Sequence, residues 1–138
     1  GICNLLMSKY VVEDQKKILS NFYMSLDNLK ELYDYGHEIG IHGCNHQRWG
    51  TLNFNDQFNE ICKSFDYLKD NQLLKDDFSC CYPWGSYNNV TLDILKNINC
   101  TVALTSIPNL NNLNEFHIYK LPRLDTNDFP QSNLDTET

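Results

Sequence analysis

The stretch 36-GHEIGIHGCNH-46 decides how the chain is read. Residues 37–41 (HEIGI) form a short strand pattern, so His42 and His46 fall in the loop at its carboxyl end. A helical pattern from Ser25 to Tyr35 lies just before it. Ser25 is a good N-cap, Leu26, Leu29, Leu32 and Tyr33 share one face, and Gly36 stops the helix. A helix leading into a strand, with reactive side chains just beyond the strand, is the plan of an α/β fold. Its strand-end loops are where chemistry usually sits.

The same alternation continues on both sides. Upstream, 3–9 (CNLLMSK) reads as a buried strand. Downstream, the clearest helix spans Phe54 to Asn71, with Phe54, Phe58, Ile61, Phe65 and Leu68 as one apolar stripe expected to pack into the core. Residues 78–83 (FSCCYP) predict a strand, Pro83 and Gly85 a turn, 89–98 a helix, 100–106 a strand and 118–121 a further one. Strands alternating with helices imply an α/β fold with a mostly parallel sheet. The Asn-rich 109–114 stretch is a loop, residues 131–138 are a polar tail, and no internal repeat occurs. With 138 residues the chain has the size of one domain, placed at 3–130.

Composition narrows the function. Apolar residues at 41% and charged ones at 21% match an ordinary soluble globular protein. A net charge of −7, with basic residues scattered singly, argues against a nucleic-acid partner and fits a neutral or cationic small molecule or a sugar. No apolar run nears the ~18 residues that cross a membrane, and the first ten residues do not read as a signal peptide. Six cysteines occur with no C-x-x-C pair, and adjacent Cys80 and Cys81 point to opposite faces of a strand. Reduced, mostly buried thiols and a cytoplasmic location are therefore expected.

Two segments hold the groups that chemistry needs. Histidines four apart, His42 and His46, offer two imidazole nitrogens suited to zinc at about 2.0–2.1 Å; taken alone, two unrelated histidines also share a turn by chance. Cys81 to Tyr87 (CYPWGSY) makes a tight turn whose backbone N–H groups face a developing oxyanion, or else an ordinary loop with aromatics on the sheet edge.

Read together, these segments resemble the NodB-homology, or polysaccharide deacetylase, family. Gly36–His46 is similar to its G-H-E-I-G-x-H-S/T-x-x-H segment, and Tyr82-Pro83-Trp84-Gly85-Ser86-Tyr87-Asn88 to its R-x-P-Y-G turn and continuation. Leu121–Asp128 (LPRLDTND) looks like a later strand-end segment of many bacterial members. The resemblance covers 3–130 and implies a distorted (β/α) barrel, here partial, that hydrolyses acetyl groups on amino sugars or polysaccharide. It implies that His42 and His46 bind a divalent metal, usually Zn2+. It also implies that the Trp84 backbone N–H holds the oxyanion and that Tyr82, Pro83, Trp84 and Tyr87 meet the carbohydrate.

The departures are as specific as the matches. The family's Asp-Asp-Gly strand end, which supplies the base and a third metal ligand, is absent, and its natural place is before Gly1; Asp76-Asp77-Phe78 is out of order. Cys81 stands where the family has an Arg that tunes the base, and Gly43 where it has Ser or Thr. The final Leu-x-His motif has no clear counterpart. His117 is the one later histidine, read either as the acid or as an edge histidine. Asp125 and Asp128 follow a strand and read as a solvated cap or as site residues, and His37 as a structural cover for the preceding helix. Three accounts stand: a deacetylase lacking its first strand and helix, a non-catalytic sugar-binding or interaction module of the same fold, and a structural domain in which the histidines only pack. A missing strand would expose a sheet edge and favour a homo-oligomer.

Overall fold

Helix ends are the best-specified feature of this chain. The computed structural model describes Leu6, Lys9, residues 15–110 and residues 117–129. Two compact units divide the chain, Gly1–His37 and Glu38–Thr138. The first contains helix α1 (Gln15–Phe22) and helix α2 (Leu26–Asp34). Ser25 caps α2 reciprocally: its hydroxyl accepts from the Asn28 N–H at 3.2 Å and its own N–H donates to Asn28 Oδ1 at 2.9 Å. Leu26, Leu29, Leu32 and Tyr33 form the less exposed face, as their spacing predicts. The helix closes when the Gly36 N–H bonds Tyr33 O and the His37 N–H bonds Leu32 O. His37 thus covers the helix end through its backbone. Helix α1 was not expected from the sequence, whose QKKILSNF is short and carries only three apolar residues, Ile18, Leu19 and Phe22. Leu6 and Lys9, within the expected 3–9 strand, are helical; the rest of that stretch lies outside the described residues.

The second unit is built on parallel pairing in chain order. Strand β1 (Ser79–Cys81) pairs with β2 (Val102–Leu104), Cys80 opposite Ala103. Single parallel bridges add Ile41 beside Cys80 and Leu121 beside Leu104. Between Ile41 and β1 runs helix α3 (Phe54–Asp70), and between β1 and β2 runs helix α4 (Asn89–Asn97). Parallel neighbours need such crossovers. The HEIGI strand contracts to Ile41, because residues 37–40 make no ladder. Gly40 explains the tight approach there: a Cβ on it would lie 2.9 Å from Ser79 O. The 118–121 strand likewise contracts to the Leu121 bridge. Residues 111–116 and 131–138, the rest of the Asn-rich loop and the tail, lie outside the described residues.

Helix α3 buries Ile61 and Leu68 of the expected stripe and sets Phe65 against Phe78, but its amino-terminal turns are rotated from it. Phe54 and Phe58 are exposed and stack on each other, centroids 6.0 Å apart, while Gln57, Glu60, Ile61 and Leu68 face inward. The inward polar residues decide the rotation, since each finds partners that two phenylalanines do not need. Gln57 Nε2 donates to Leu52 O at 2.9 Å, and the Thr91 hydroxyl donates to Gln57 Oε1 at 2.6 Å. Thr91 belongs to the capping box of α4, with Asn88 as N-cap. Both Gln57 and Thr91 are about fully buried, so the node is costly to break. The apolar core of this unit includes Trp49, Ile61, Leu73, Ile94 and Leu95, and each of its buried aliphatic side chains contributes about 1.5–3 kcal/mol.

Gln57→Leu keeps the volume but leaves Leu52 O and the Thr91 hydroxyl short of a partner. It is expected to cost about 1–3 kcal/mol in urea unfolding, with an unchanged m-value. Alkaline pH weakens the fold by a second route. Burial pushes the Cys100 thiol up from 9.0 to about 12 and raises that of Cys80 as well, so ionisation favours the unfolded chain. Their stabilising effect is complete below about 9 and declines as pH rises toward about 12. Urea midpoints should fall across that window, and less steeply in a Cys100→Ala variant.

Candidate functional site

The bridge between Ile41 and Cys80 sets two strand-end loops side by side. The Ile41 N–H donates to Ser79 O at 3.0 Å and the Cys81 N–H to Ile41 O at 3.1 Å. One residue further, His42 Nδ1 lies 2.7 Å from Cys81 O. A carbonyl only accepts, so Nδ1 carries the proton and, in the neutral ring, Nε2 keeps the lone pair. His46 returns to the same place, its ring 4.9 Å from that of His42. Imidazoles bound at about 2.0–2.1 Å to one tetrahedral ion hold their centroids about 5 Å apart. The two histidines therefore fit zinc in donor type, tautomer and spacing. Among the described residues no third His, Cys, Asp or Glu completes the cluster.

The loop that returns His46 is shaped by a residue that the sequence reading passed over. Glu60, buried on the inner face of α3, accepts from the Asn45 N–H at 2.9 Å and from the Asn45 side-chain amide. Gly43 stands where that clasp needs room. It has φ +79, and a Cβ would lie 3.0 Å from Trp49 Cζ2 and 3.2 Å from Glu60 Oε2. Serine or threonine does not fit there without movement of Trp49. Downstream, the two loops are laced again. The Gly50 N–H donates to Ser86 Oγ at 3.2 Å and Asn88 Nδ2 to Gly50 O at 3.1 Å.

The turn Pro83–Gly85 supplies the other wall. Its closing bonds come from the Gly85 and Ser86 N–H groups, which leaves the Trp84 N–H outside them. Trp84 is 59% exposed, its ring 5.3 Å from that of His46 and its indole N–H donating to His46 O at 3.0 Å. Arg48 lies over the indole, 4.9 Å from its centre. Tyr82 and Pro83, expected to meet substrate, are buried instead. The Tyr82 hydroxyl donates to Tyr119 O at 2.8 Å and its ring stacks on Tyr87, which is half-buried. Burial therefore takes Tyr82 and Pro83 out of the accessible surface.

The remaining sequence-read residues fall elsewhere. His117 precedes the Leu121 bridge on the amino side and lines a separate cavity of about 530 Å³ with Leu92, Asp93 and Lys96. That cavity holds none of the motif residues, so His117 does not join the histidine pair. Asp125 caps the short Thr126–Asp128 turn, accepting from the Asn127 N–H at 3.0 Å, and that bond holds its carboxyl low. Cys81 is half-buried; burial raises its thiol, and the charge of Arg123 opposes the rise. Cysteines 44, 62, 80, 81 and 100 are free.

Residues 7–103 match the profile of polysaccharide deacetylases. The chain belongs to the polysaccharide deacetylase family. A structural relative, the Streptococcus pyogenes deacetylase PplD solved in complex with acetate, superposes with a TM-score of 0.66 at 22% identity. The match covers 86% of this chain and 48% of PplD, so this family member spans about half the length of that relative. The mixed fold with its small parallel sheet is thus similar to a deacetylase fold. No curated protein matches the chain.

Glu60 was visible in the sequence as an acid beside the Ile61 stripe, but spacing alone does not say that its partner is a loop fifteen residues away. Glu60→Gln leaves one acceptor for two Asn45 donors and sets an amide N–H2 against them. It should lower stability by about 1.5–3 kcal/mol and speed hydrogen exchange at the Asn45 amide. Wild-type protection at Asn45 would show that the clasp does not hold the loop.

Proposed function

We propose that the chain is a metal-dependent carbohydrate deacetylase that hydrolyses the acetamido C–N bond of amino sugars or polysaccharide. The observation that carries this reading is the His42 ring. Its Nδ1 proton is committed to Cys81 O, which leaves Nε2 free beside His46 at a spacing suited to one ion. His42 and His46 would hold the metal, zinc by donor type, with a third ligand and the base coming from outside the described cluster. Bound there, the metal would polarise the acetyl carbonyl and activate water. Water adds to the acetyl carbon, the C–N bond breaks, acetate leaves and the sugar nitrogen takes the proton. The Trp84 N–H, outside the turn's own bonds, would donate to the carbonyl oxygen as its charge grows; such a donor is worth about 2.7–4 kcal/mol of barrier. Trp84 and Tyr87 would present the carbohydrate surface.

Chain-order parallel neighbours with helical crossovers support a partial distorted (β/α) barrel. A second reading, a non-catalytic sugar-binding module of this fold, is favoured by Cys81 in the place of the family's Arg and by the separation of His117 from the histidine pair.

Zinc titration of the chain is expected to give one tight site that is lost in the His42→Ala/His46→Ala double variant. Acetate release from acetylated chitooligosaccharides should be abolished with it. Metal binding without acetate release would favour the module; equal zinc binding by both proteins would overturn the site.

A further inference from the structure

Four residues other than glycine adopt left-handed backbone among the described residues: His46 (φ 54), Gln72 (φ 59), Trp84 (φ 60) and Asn99 (φ 59). Two of them are helix terminators. Gln72 follows α3, with the next N–H, that of Leu73, bonding Leu68 O; Asn99 follows α4, with the Cys100 N–H bonding Leu95 O. The other two end no helix. A left-handed residue with a bulky side chain costs about 1–2 kcal/mol, and such strain persists where surroundings impose it. His46 and Trp84 are joined to each other: the Trp84 indole N–H donates to His46 O at 3.0 Å and the rings lie 5.3 Å apart.

We propose that the Trp84 side chain is a positioning residue that locks His46 in the left-handed conformation turning its ring toward His42. This rests on the reading of His42 and His46 as a metal pair. The His46 carbonyl is fixed by the indole donor, and the peptide plane so oriented sets the direction of the His46 side chain. The indole in turn is steadied from its face by Arg48, 4.9 Å from the ring centre. The pair of histidines is thereby anchored by the facing loop at two points, His42 through Cys81 O and His46 through Trp84. Phenylalanine keeps an aromatic ring at this position but has no donor, so it separates the hydrogen bond from packing. Trp84 is 59% exposed, so its replacement does not open the core.

The test compares the unaltered chain with Trp84→Phe and Trp84→Ala. Without metal, NMR backbone shifts of His46 should report left-handed geometry in the unaltered chain and leave that range in both variants. Zinc affinity, measured by competition with a chromophoric chelator, should fall 10–100-fold in Trp84→Phe, the range for loss of a group that orients a ligand. Unchanged His46 shifts in Trp84→Phe would overturn the lock whether or not zinc binds. Zinc affinity of Trp84→Phe equal to that of the unaltered chain would overturn its role in positioning the metal pair. If the unaltered chain binds no zinc, the metal reading fails and takes this positioning role with it, while the metal-free shifts still judge the lock.

Discussion

Parallel pairing of Ile41 with Cys80 is the constraint on which the rest of the second unit depends. Parallel strands leave the same edge of a sheet, so two strands in register deliver their following loops to one place. Here the register puts His42 one step above Ile41 and Cys81 one step above Cys80. The ring of His42 then needs only its own length to reach Cys81 O. A one-residue slip would turn His42 toward the opposite face. The pairing is short, two hydrogen bonds through one residue, and at about 0.5–1.5 kcal/mol each they do not suffice alone.

The missing stability comes from lacing between the loops and from buried polar groups beneath them. Gly50 bonds Ser86 and Asn88, Asn88 caps α4, and the Thr91 of that cap meets Gln57 on α3. Glu60, one helical turn beyond Gln57, clasps Asn45. The inner face of α3 is thus a polar scaffold set within an apolar one. That explains why its exposed face carries Phe54 and Phe58. Inward positions that hold loops must be polar and satisfied, and the aromatic side chains are left on the outside.

Much of this was legible in the sequence, and the divide follows physical range. Local rules worked: Ser25 and Gly36 bounded α2, the Phe54 helix began and ended within a residue of its reading, and the histidine loop fell after a strand position. Ile61 and Leu68 of the α3 stripe are buried as expected, but its first turns were misread because hydrophobic spacing ranks phenylalanine above glutamine. Only the distant partners of Gln57 and Glu60 reverse that order. Tyr82 and Pro83 were expected to meet carbohydrate because the resembling family turn implies it, but both are buried. Strand alternation would have warned otherwise, since Cys80 and Tyr82 point the same way and both are buried.

Cysteine at position 81, the sharpest departure from the family's turn, touches only part of the site. What orients His42 is the carbonyl of Cys81, which every residue type supplies, so replacing an arginine there leaves the histidine's tautomer intact. What the substitution removes is a permanent positive charge from the strand end. Arg123, beyond the Leu121 bridge, sends its charge toward the Cys81 thiol from the neighbouring segment. At this position the orientation of His42 and the local charge are therefore separable: the Cys81 backbone carries the first, side chains the second. A chain of this family can lose the arginine and keep its histidine pair, because the sheet register holds the carbonyl in place.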